Sequence, residues 1–382
     1  MNRVPDTEHV ALMSTGPGTA RGLRVLRYGE GGSRPKAYLQ AALHADEIPG
    51  LLVLHHLRRL LDEAQRRGAV TGSVVLIPYA NPIGLSQHVN GVLMGRFSLT
   101  GAGNFNRLFP DVSGEVNLQV AGKLGADADQ NVNMIRKAIM TALEARSPAD
   151  DTDHLRLILL RLACDADIVL DLHCDEEALL HVYTGTPLWP AASDLSAQLG
   201  SRATLLATES GGNPFDEAVA GIWWRLAEDF PEVPVPPACL AATVELRGES
   251  DVDDELALED AKNILAFLRR RGVIRGDPGP LPASLCEATP LEGVDMIRSP
   301  VNGVVTYARA PGDEVHAGDV VAILIDPAAE RLEDARTEVR TQASGLLFAR
   351  RTVRFVRAGD VLCKVAGTAP LVHRACGPLL SD

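Results

Sequence analysis

Ala37-Tyr38-Leu39-Gln40-Ala41-Ala42-Leu43-His44-Ala45-Asp46-Glu47-Ile48-Pro49-Gly50 is the stretch whose reading decides the fold. Ala37 to Leu43 is an apolar run that predicts a buried strand, and Leu51 to Arg67 has the apolar spacing and basic end of a helix. His44 and Glu47 therefore fall where a strand gives way to a helix. Turns of this kind expose side chains at the carboxyl end of an α/β sheet, where such proteins place their sites. A neutral imidazole and a carboxylate at this spacing can converge on one divalent cation, and both ligand types suit zinc. Alone, His-x-x-Glu is a weak signal. A turn histidine followed by an acidic residue in the first turn of a helix gives the same pattern. The rest of the chain has to supply the missing parts.

Outward from this stretch, strands and helices mix. Gly22 to Gly29 alternates apolar and polar residues and predicts a half-buried strand. Ser73 to Pro78 predicts another buried strand, ending in the loop chemistry of Tyr79-Ala80-Asn81-Pro82. A long loop runs from Gln87 to about Pro110, with Arg96 in its middle and Asn104-Phe105-Asn106-Arg107 near its end; loops of such length are often functional. Helices are expected over part of 131–145 and over 154–163. Asp167 to His173 predicts a buried strand ending in polar groups, with Asp171 and His173 on one face. A strand over 177–184, a helix over 187–199 and a strand over 203–208 follow. After the glycine-rich loop 209–215 comes a helix whose Trp223 and Trp224 read as core. Ala241 to Gly248 predicts a further strand containing Glu245, and Asp254 to Arg271 a long helix. Together these predict one α/β domain, a mixed central sheet flanked by helices, over residues 1–275.

Gly276-Asp277-Pro278-Gly279-Pro280-Leu281-Pro282 marks a linker, taken as 276–290. Beyond it, 291–382 is β-rich and internally repeated: Val315-His316-Ala317-Gly318-Asp319-Val320 returns as Val356-Arg357-Ala358-Gly359-Asp360-Val361, each preceded by a glycine and two apolar residues (Gly303-Val304-Val305, Gly345-Leu346-Leu347). Two similar halves predict a small pseudo-symmetric sandwich resembling the barrel-sandwich fold of biotinyl and lipoyl carrier domains. Carriers need a lysine at the turn between the halves, and Asp326 to Glu338 contains none; Lys364 is the only lysine after the linker. The tail therefore reads as a structural or oligomerisation module ahead of a substrate-shaping one, and a homo-oligomer is compatible with it.

The chain has 382 residues, 46% hydrophobic and 23% charged, the balance of a soluble globular protein. No apolar run is long enough for a bilayer span, and the N-terminal residues lack a secretory apolar core, so a cytoplasmic protein without a membrane partner is expected. A net charge of −13 argues against nucleic acid as a partner. Arg269-Arg270-Arg271, the one dense basic patch, reads as a cationic helix end. The six cysteines are scattered without a C-x-x-C pair, which disfavours a disulfide framework or a thiolate zinc cluster.

His173 supplies the partner that His44 and Glu47 lack. Two histidines and a carboxylate form a three-ligand zinc set with an open fourth position, the catalytic type of site. Glu245, a carboxylate within an apolar strand, is the candidate general base; its alternative is an ion pair with Arg247 along the same strand. Asn106 and Arg107 suit recognition of a substrate carboxylate, since arginine offers a planar fork of donors. Asp171 either orients a ligand histidine or faces solvent as a strand-end acid. Asp46 reads as a turn residue.

His44-Ala45-Asp46-Glu47, Asn106-Arg107-Leu108-Phe109-Pro110, Asp171-Leu172-His173 and Thr243-Val244-Glu245-Leu246 resemble the ordered motifs of the succinylglutamate desuccinylase/aspartoacylase family, a branch of the zinc carboxypeptidase-like hydrolases. The resemblance covers roughly residues 20–272. It implies one zinc per chain held by His44, Glu47 and His173, Glu245 as general base, Asn106 and Arg107 as the carboxylate-binding pair, and Arg96 as the arginine that polarises the scissile carbonyl. It implies hydrolysis of the amide of a small-molecule N-acyl amino acid. Two departures stand out: Ala45 replaces a common glycine, and Asn104 stands where an aspartate is often found. A zinc carboxypeptidase acting on peptides, and a non-catalytic zinc-binding scaffold of the same fold, are the competing readings.

Overall fold

A computed structural model describes residues 4–371. Cys376 and the expected tail boundary at residue 382 lie outside the described residues. The chain opens with β1 (Asp6–Ala11), β2 (Gly22–Gly29) and β3 (Lys36–Ala41), followed by α1 (Pro49–Arg66) and β4 (Ser73–Ile77). The long loop of the sequence reading is pinned by two small hairpins, β5 (His88–Val89) with β6 (Val92–Leu93) and β7 (Phe97–Ser98) with β8 (Gly103–Asn104). Then come α2 (Ser113–Val120), α3 (Ala128–Glu144), α4 (Asp151–Ala163), β9 (Ile168–Asp175), β10 (Glu177–Ala178), β11 (His181–Gly185), α5 (Ser193–Leu199), β12 (Ala203–Ala207), α6 (Phe215–Asp229), β13 (Leu240–Gly248), α7 (Asp254–Arg270) and β14 (Ala288–Pro290).

Nine of these strands form one mixed sheet in the order β1-β2-β4-β3-β9-β13-β11-β12-β14. Its centre, β4-β3-β9-β13, is parallel, and β11 runs antiparallel to β13. The central strands are buried on both faces, which explains why they read as continuous apolar runs. Helices α1, α5 and α7 bury Leu54, Leu57, Leu195, Ile264 and Leu268 on one face; α2, α3, α4 and α6 bury Val116, Ile139, Leu159 and Trp223 on the other. Each such leucine contributes about 1.5–3 kcal/mol of burial.

Local features differ from expectation. The helix expected over 187–199 forms only over Ser193–Leu199. β3 stops at Ala41, because Ala42 adopts φ +57 and turns the chain out of the sheet. His44 thus stands on the turn itself. The stretch 177–184 is two strands, not one: β10 leaves the main sheet to pair with β20 of the tail.

The tail comprises β15 (Val294–Arg298), β16 (Gly303–Tyr307), β17 (Glu314–Val315), β18 (Val320–Ile325), β19 (Arg336–Arg340), β20 (Gly345–Arg350), β21 (Phe355–Val356) and β22 (Val361–Gly367). They form two sheets, β10-β20-β22-β15 with β17 on β20, and β19-β18-β16-β21. The repeat is visible as exchanged pairing: β16 of the first copy pairs with β21 of the second, and β20 of the second with β17 of the first. In each copy the aspartate accepts a backbone N–H three residues upstream, Asp319 from His316 and Asp360 from Arg357. β14, the end of the expected linker, adds to the main sheet beside β12. An apolar cluster then welds the tail on: Ala203, Leu205 and Ala207 of β12 pack with Leu291, Val294, Phe348 and Ala349.

Candidate metal centre and its pocket

The turn after β3 and the end of β9 meet because β3 and β9 are parallel neighbours. Their carboxyl ends emerge on one edge of the sheet, and His44, Glu47 and His173 converge there. All three are buried, and their ligand atoms lie within 4.8 Å of one another, a geometry able to hold a metal ion. Glu47 bridges the pair: Oε1 is 2.8 Å from His44 Nδ1 and Oε2 is 2.7 Å from His173 Nδ1. The Cys174 N–H also donates to Oε2. Burial alone would raise the Glu47 pKa, but the two imidazoles outweigh it and hold the carboxyl well below its usual range.

The outer ring nitrogens also have close neighbours. His44 Nε2 lies 2.8 Å from Asn104 Oδ1 as a hydrogen-bond partner, and His173 Nε2 lies 2.9 Å from Asp171 Oδ2, close but outside hydrogen-bond geometry. Both rings are therefore turned with Nδ1 inward. Partners on the far nitrogen are the usual way in which metal-binding histidines are oriented. Burial, then the Arg96 charge, pushes the His44 pKa down to about 4, whereas at His173 Asp171 and Glu47 outweigh burial and hold the ring well above its usual value.

Arg96 reaches the same point from the hairpin loop. Its Nη1 is 3.0 Å from Glu47 Oε1 and 3.2 Å from His44 Nδ1. The loop can come this close because Gly95 lies against the Ala45–Asp46 peptide: a Cβ on Gly95 would sit 2.2 Å from the Asp46 nitrogen. Ala45 N–H donates to the Gly95 carbonyl across this contact. Asp46 is outside the ligand group.

Glu245 sits on β13 directly opposite His173 on β9 and His181 on β11. Directly opposed residues share a face of the sheet. Its Oε2 is buried without a hydrogen-bond partner, and burial reinforced by Glu47 raises the carboxyl to about 8. The alternative pairing with Arg247 is overturned. A bulge after Glu245 and the left-handed backbone of Arg247 (φ +62) turn that arginine away, onto Asp260 of α7.

Asn106 and Arg107 line the same pocket from the other wall. They are knitted to the glycine-rich loop: Asn106 Oδ1 accepts the Phe215 N–H at the start of α6, and the Leu108 N–H donates to the Gly212 carbonyl. Beside them the cavity, about 120 Å³, is lined by Asp216 and Glu217 of α6, which the sequence reading missed. Burial raises these two carboxyls to about 6 and about 7. Their only signal in the sequence was an acidic pair after a glycine-rich loop, which also fits an ordinary first helical turn. Leu291, Met296 and Lys364 of the tail close the pocket. Among the described residues no helix is long and apolar enough to cross a membrane.

Residues 33–134 match the model of the succinylglutamate desuccinylase/aspartoacylase catalytic domain. No protein of curated function matches the chain. Among solved structures, a provisionally assigned succinylglutamate desuccinylase/aspartoacylase from Shewanella frigidimarina NCIMB 400 is 26% identical with a TM-score of 0.84, over 95% of this chain and 97% of that one. A similarly assigned family protein from Shewanella amazonensis SB2B is 28% identical with a TM-score of 0.82, over 94% and 98%. The product-bound ectoine utilization protein EutE (DoeB) from Ruegeria pomeroyi shares the fold at 18% identity, TM-score 0.67, over 96% of each chain. The matched segment carries His44, Glu47, Arg96, Asn106 and Arg107, so this part of the chain is similar to the succinylglutamate desuccinylase/aspartoacylase catalytic domain, and the fold is shared with structures assigned to that family along nearly the whole chain.

Proposed function

We propose that this protein is a zinc-dependent amidohydrolase that removes the acyl group from an N-acyl amino acid or a similar small amide bearing a carboxylate. One observation carries the reading: the buried His44–Glu47–His173 group stands beside a Glu245 carboxylate whose Oε2 is buried and unpartnered. An orphaned buried oxygen is costly, and a partner brought by substrate or water would relieve it. Two imidazoles and one carboxylate are a catalytic zinc donor set, and both Nδ1 atoms already face Glu47. Bound zinc would supply Lewis acidity at the acyl carbonyl and at the attacking water.

The chain's own groups do the rest. Arg107 and Asn106 hold the substrate carboxylate at one wall, so that the amide reaches the ligand group. Glu245, in its ionised form, takes a proton from the attacking water and delivers it to the leaving amine nitrogen. Arg96 offers its guanidinium to the carbonyl oxygen as charge develops there. A cavity of about 120 Å³ with a tail-domain wall favours small amides over peptides. In this reading 1–275 is the hydrolase unit, 276–290 the linker and 291–382 a β-rich unit without a carrier lysine.

The test is a hydrolysis screen over acetyl, succinyl and other N-acyl amino acids, with short peptides alongside, before and after chelation. Chelator-sensitive release of an amino acid is expected. Turnover of peptides alone would favour a carboxypeptidase, and zinc-loaded protein inert to the whole panel would sink the proposal.

A further inference from the structure

Lys364 is the only lysine beyond the linker, and β22 carries it into the catalytic pocket. Its ammonium bonds Asp175 Oδ2, at the end of β9 and two residues past His173. The bridge joins the two halves of the molecule. It stands in the wall between the metal-site pocket and a cleft of about 470 Å³ that runs between the catalytic sheet and the tail; Lys364 and Asp175 line both.

The surroundings of the bridge limit what it can be for. Facing it are Glu245 from β13, His181 and Tyr183 from β11, and Met296 from β15, beside Lys364 in register. His181 uses Nδ1 to donate to the Leu179 carbonyl, and its Nε2 lies 3.9 Å from Asp175 Oδ2. That leaves Lys364 as the close cation on this carboxylate. Other contacts also attach the tail. The apolar cluster around Phe348 holds the two halves together, and Arg350 and Arg354 both bind Glu177 away from the pocket. Among the described residues, Lys364–Asp175 is the one ion pair between the halves that lines the metal-site pocket.

We propose that Lys364 is a positioning residue of the deacylation site: it holds the Asp175 carboxylate toward the tail and away from Arg96, Glu47 and Glu245. Without it, a largely buried anion would lose its partner, which is strongly unfavourable. Arg96 lines the same pocket and cleft as Asp175, bonds Glu47, and is also drawn by Glu245 and Asp175. Released, Asp175 would compete for the guanidinium that the reaction needs at the carbonyl oxygen. The tail is then part of the working site, and not only a scaffold.

This inference rests on the deacylase reading, and the test separates the two. Full-length wild type, Lys364→Met, Asp175→Asn and the double variant are compared in kcat and KM on the best substrate of the screen, with thermal unfolding and elemental zinc as controls. Lys364→Met is expected to lose about 10- to 100-fold in kcat, the scale set by misplaced catalytic groups. Zinc content and KM should change little, and Asp175→Asn should restore most of the loss. Wild-type kcat in Lys364→Met, or no restoration in the double variant, would overturn the proposal. Should Lys364→Met not fold, Asp175→Asn against the double variant decides: equal kcat within about threefold supports it, a larger gap overturns it. If the wild type hydrolyses nothing, the deacylase reading fails by itself. The visible spectra of the four cobalt-substituted proteins then apply the same rule. A change in Lys364→Met that the double variant reverses supports the positioning role, and four identical spectra overturn it.

Discussion

The Asn104 amide oxygen lies 2.8 Å from His44 Nε2 and accepts the Asn106 N–H at the same distance. As an acceptor it keeps the ring proton on Nε2 and leaves the Nδ1 lone pair facing Glu47. Asp171 stands against His173 Nε2 outside hydrogen-bond geometry, so the two histidines have unequal support. Asn104→Leu should weaken zinc binding about 10- to 100-fold, and Asn104→Asp should strengthen it, measured by competition with a chromophoric chelator. Unchanged affinity in Asn104→Leu would refute the orienting role.

Glu245 faces His173 across the parallel strand pair and leaves Oε2 without a partner. The isosteric amide keeps the shape and removes the proton-accepting group. Glu245→Gln should keep full zinc content by elemental analysis and lose about 10²- to 10⁴-fold in kcat, with KM little changed. A kcat near that of wild type would reassign the base.

The parts of this site that were legible in the sequence are those fixed by strand and helix period. His44 and Glu47 follow a strand–helix junction, and Asp171, His173, Thr243 and Glu245 sit at alternate positions of two strands, so local pattern gave both place and face. What pattern did not give is contact between distant segments. Lys364 reads in the sequence only as the one lysine after the linker, away from the turn a carrier needs; its bond to Asp175 depends on the apolar cluster around Phe348, which has no local signature. Asn104 was visible only as a departure from an aspartate, and its bond to His44 depends on the fold of the hairpin loop. The Glu245–Arg247 pairing failed because a bulge breaks the period of two on which it relied.

Arg107 lies across Gly212, where an added Cβ would come 2.5 Å from its Cδ, and Gly212 has φ +73. Gly212→Ala therefore has to move the arginine as well as strain the turn, at a backbone cost of about 1 kcal/mol. If Arg107 holds the substrate carboxylate, this variant should raise KM several-fold with kcat largely kept and the melting temperature a few degrees lower. Arg107→Met should raise KM further without the stability loss. A Gly212→Ala protein with wild-type KM would detach Arg107 from substrate binding.

Burial, reinforced by Glu47, raises the Glu245 carboxyl to about 8 in the chelated protein, whereas in the unfolded chain it returns to about 4.3. Between those values the folded protein keeps a proton that the unfolded chain has released. The group therefore lowers stability as pH rises through this window. Glu245→Gln has no proton to lose. The carboxyls of Asp216 and Glu217, raised to about 6 and about 7, are present in both proteins and cancel in the comparison. Chelated wild type and Glu245→Gln should thus melt close together at pH 5, and the variant should melt progressively higher as pH approaches 8. A gap that stays constant or narrows over that range would mean that Glu245 is already ionised in the folded protein. The raised carboxyl, and with it the release of a proton before Glu245 can act as base, would then have to be given up.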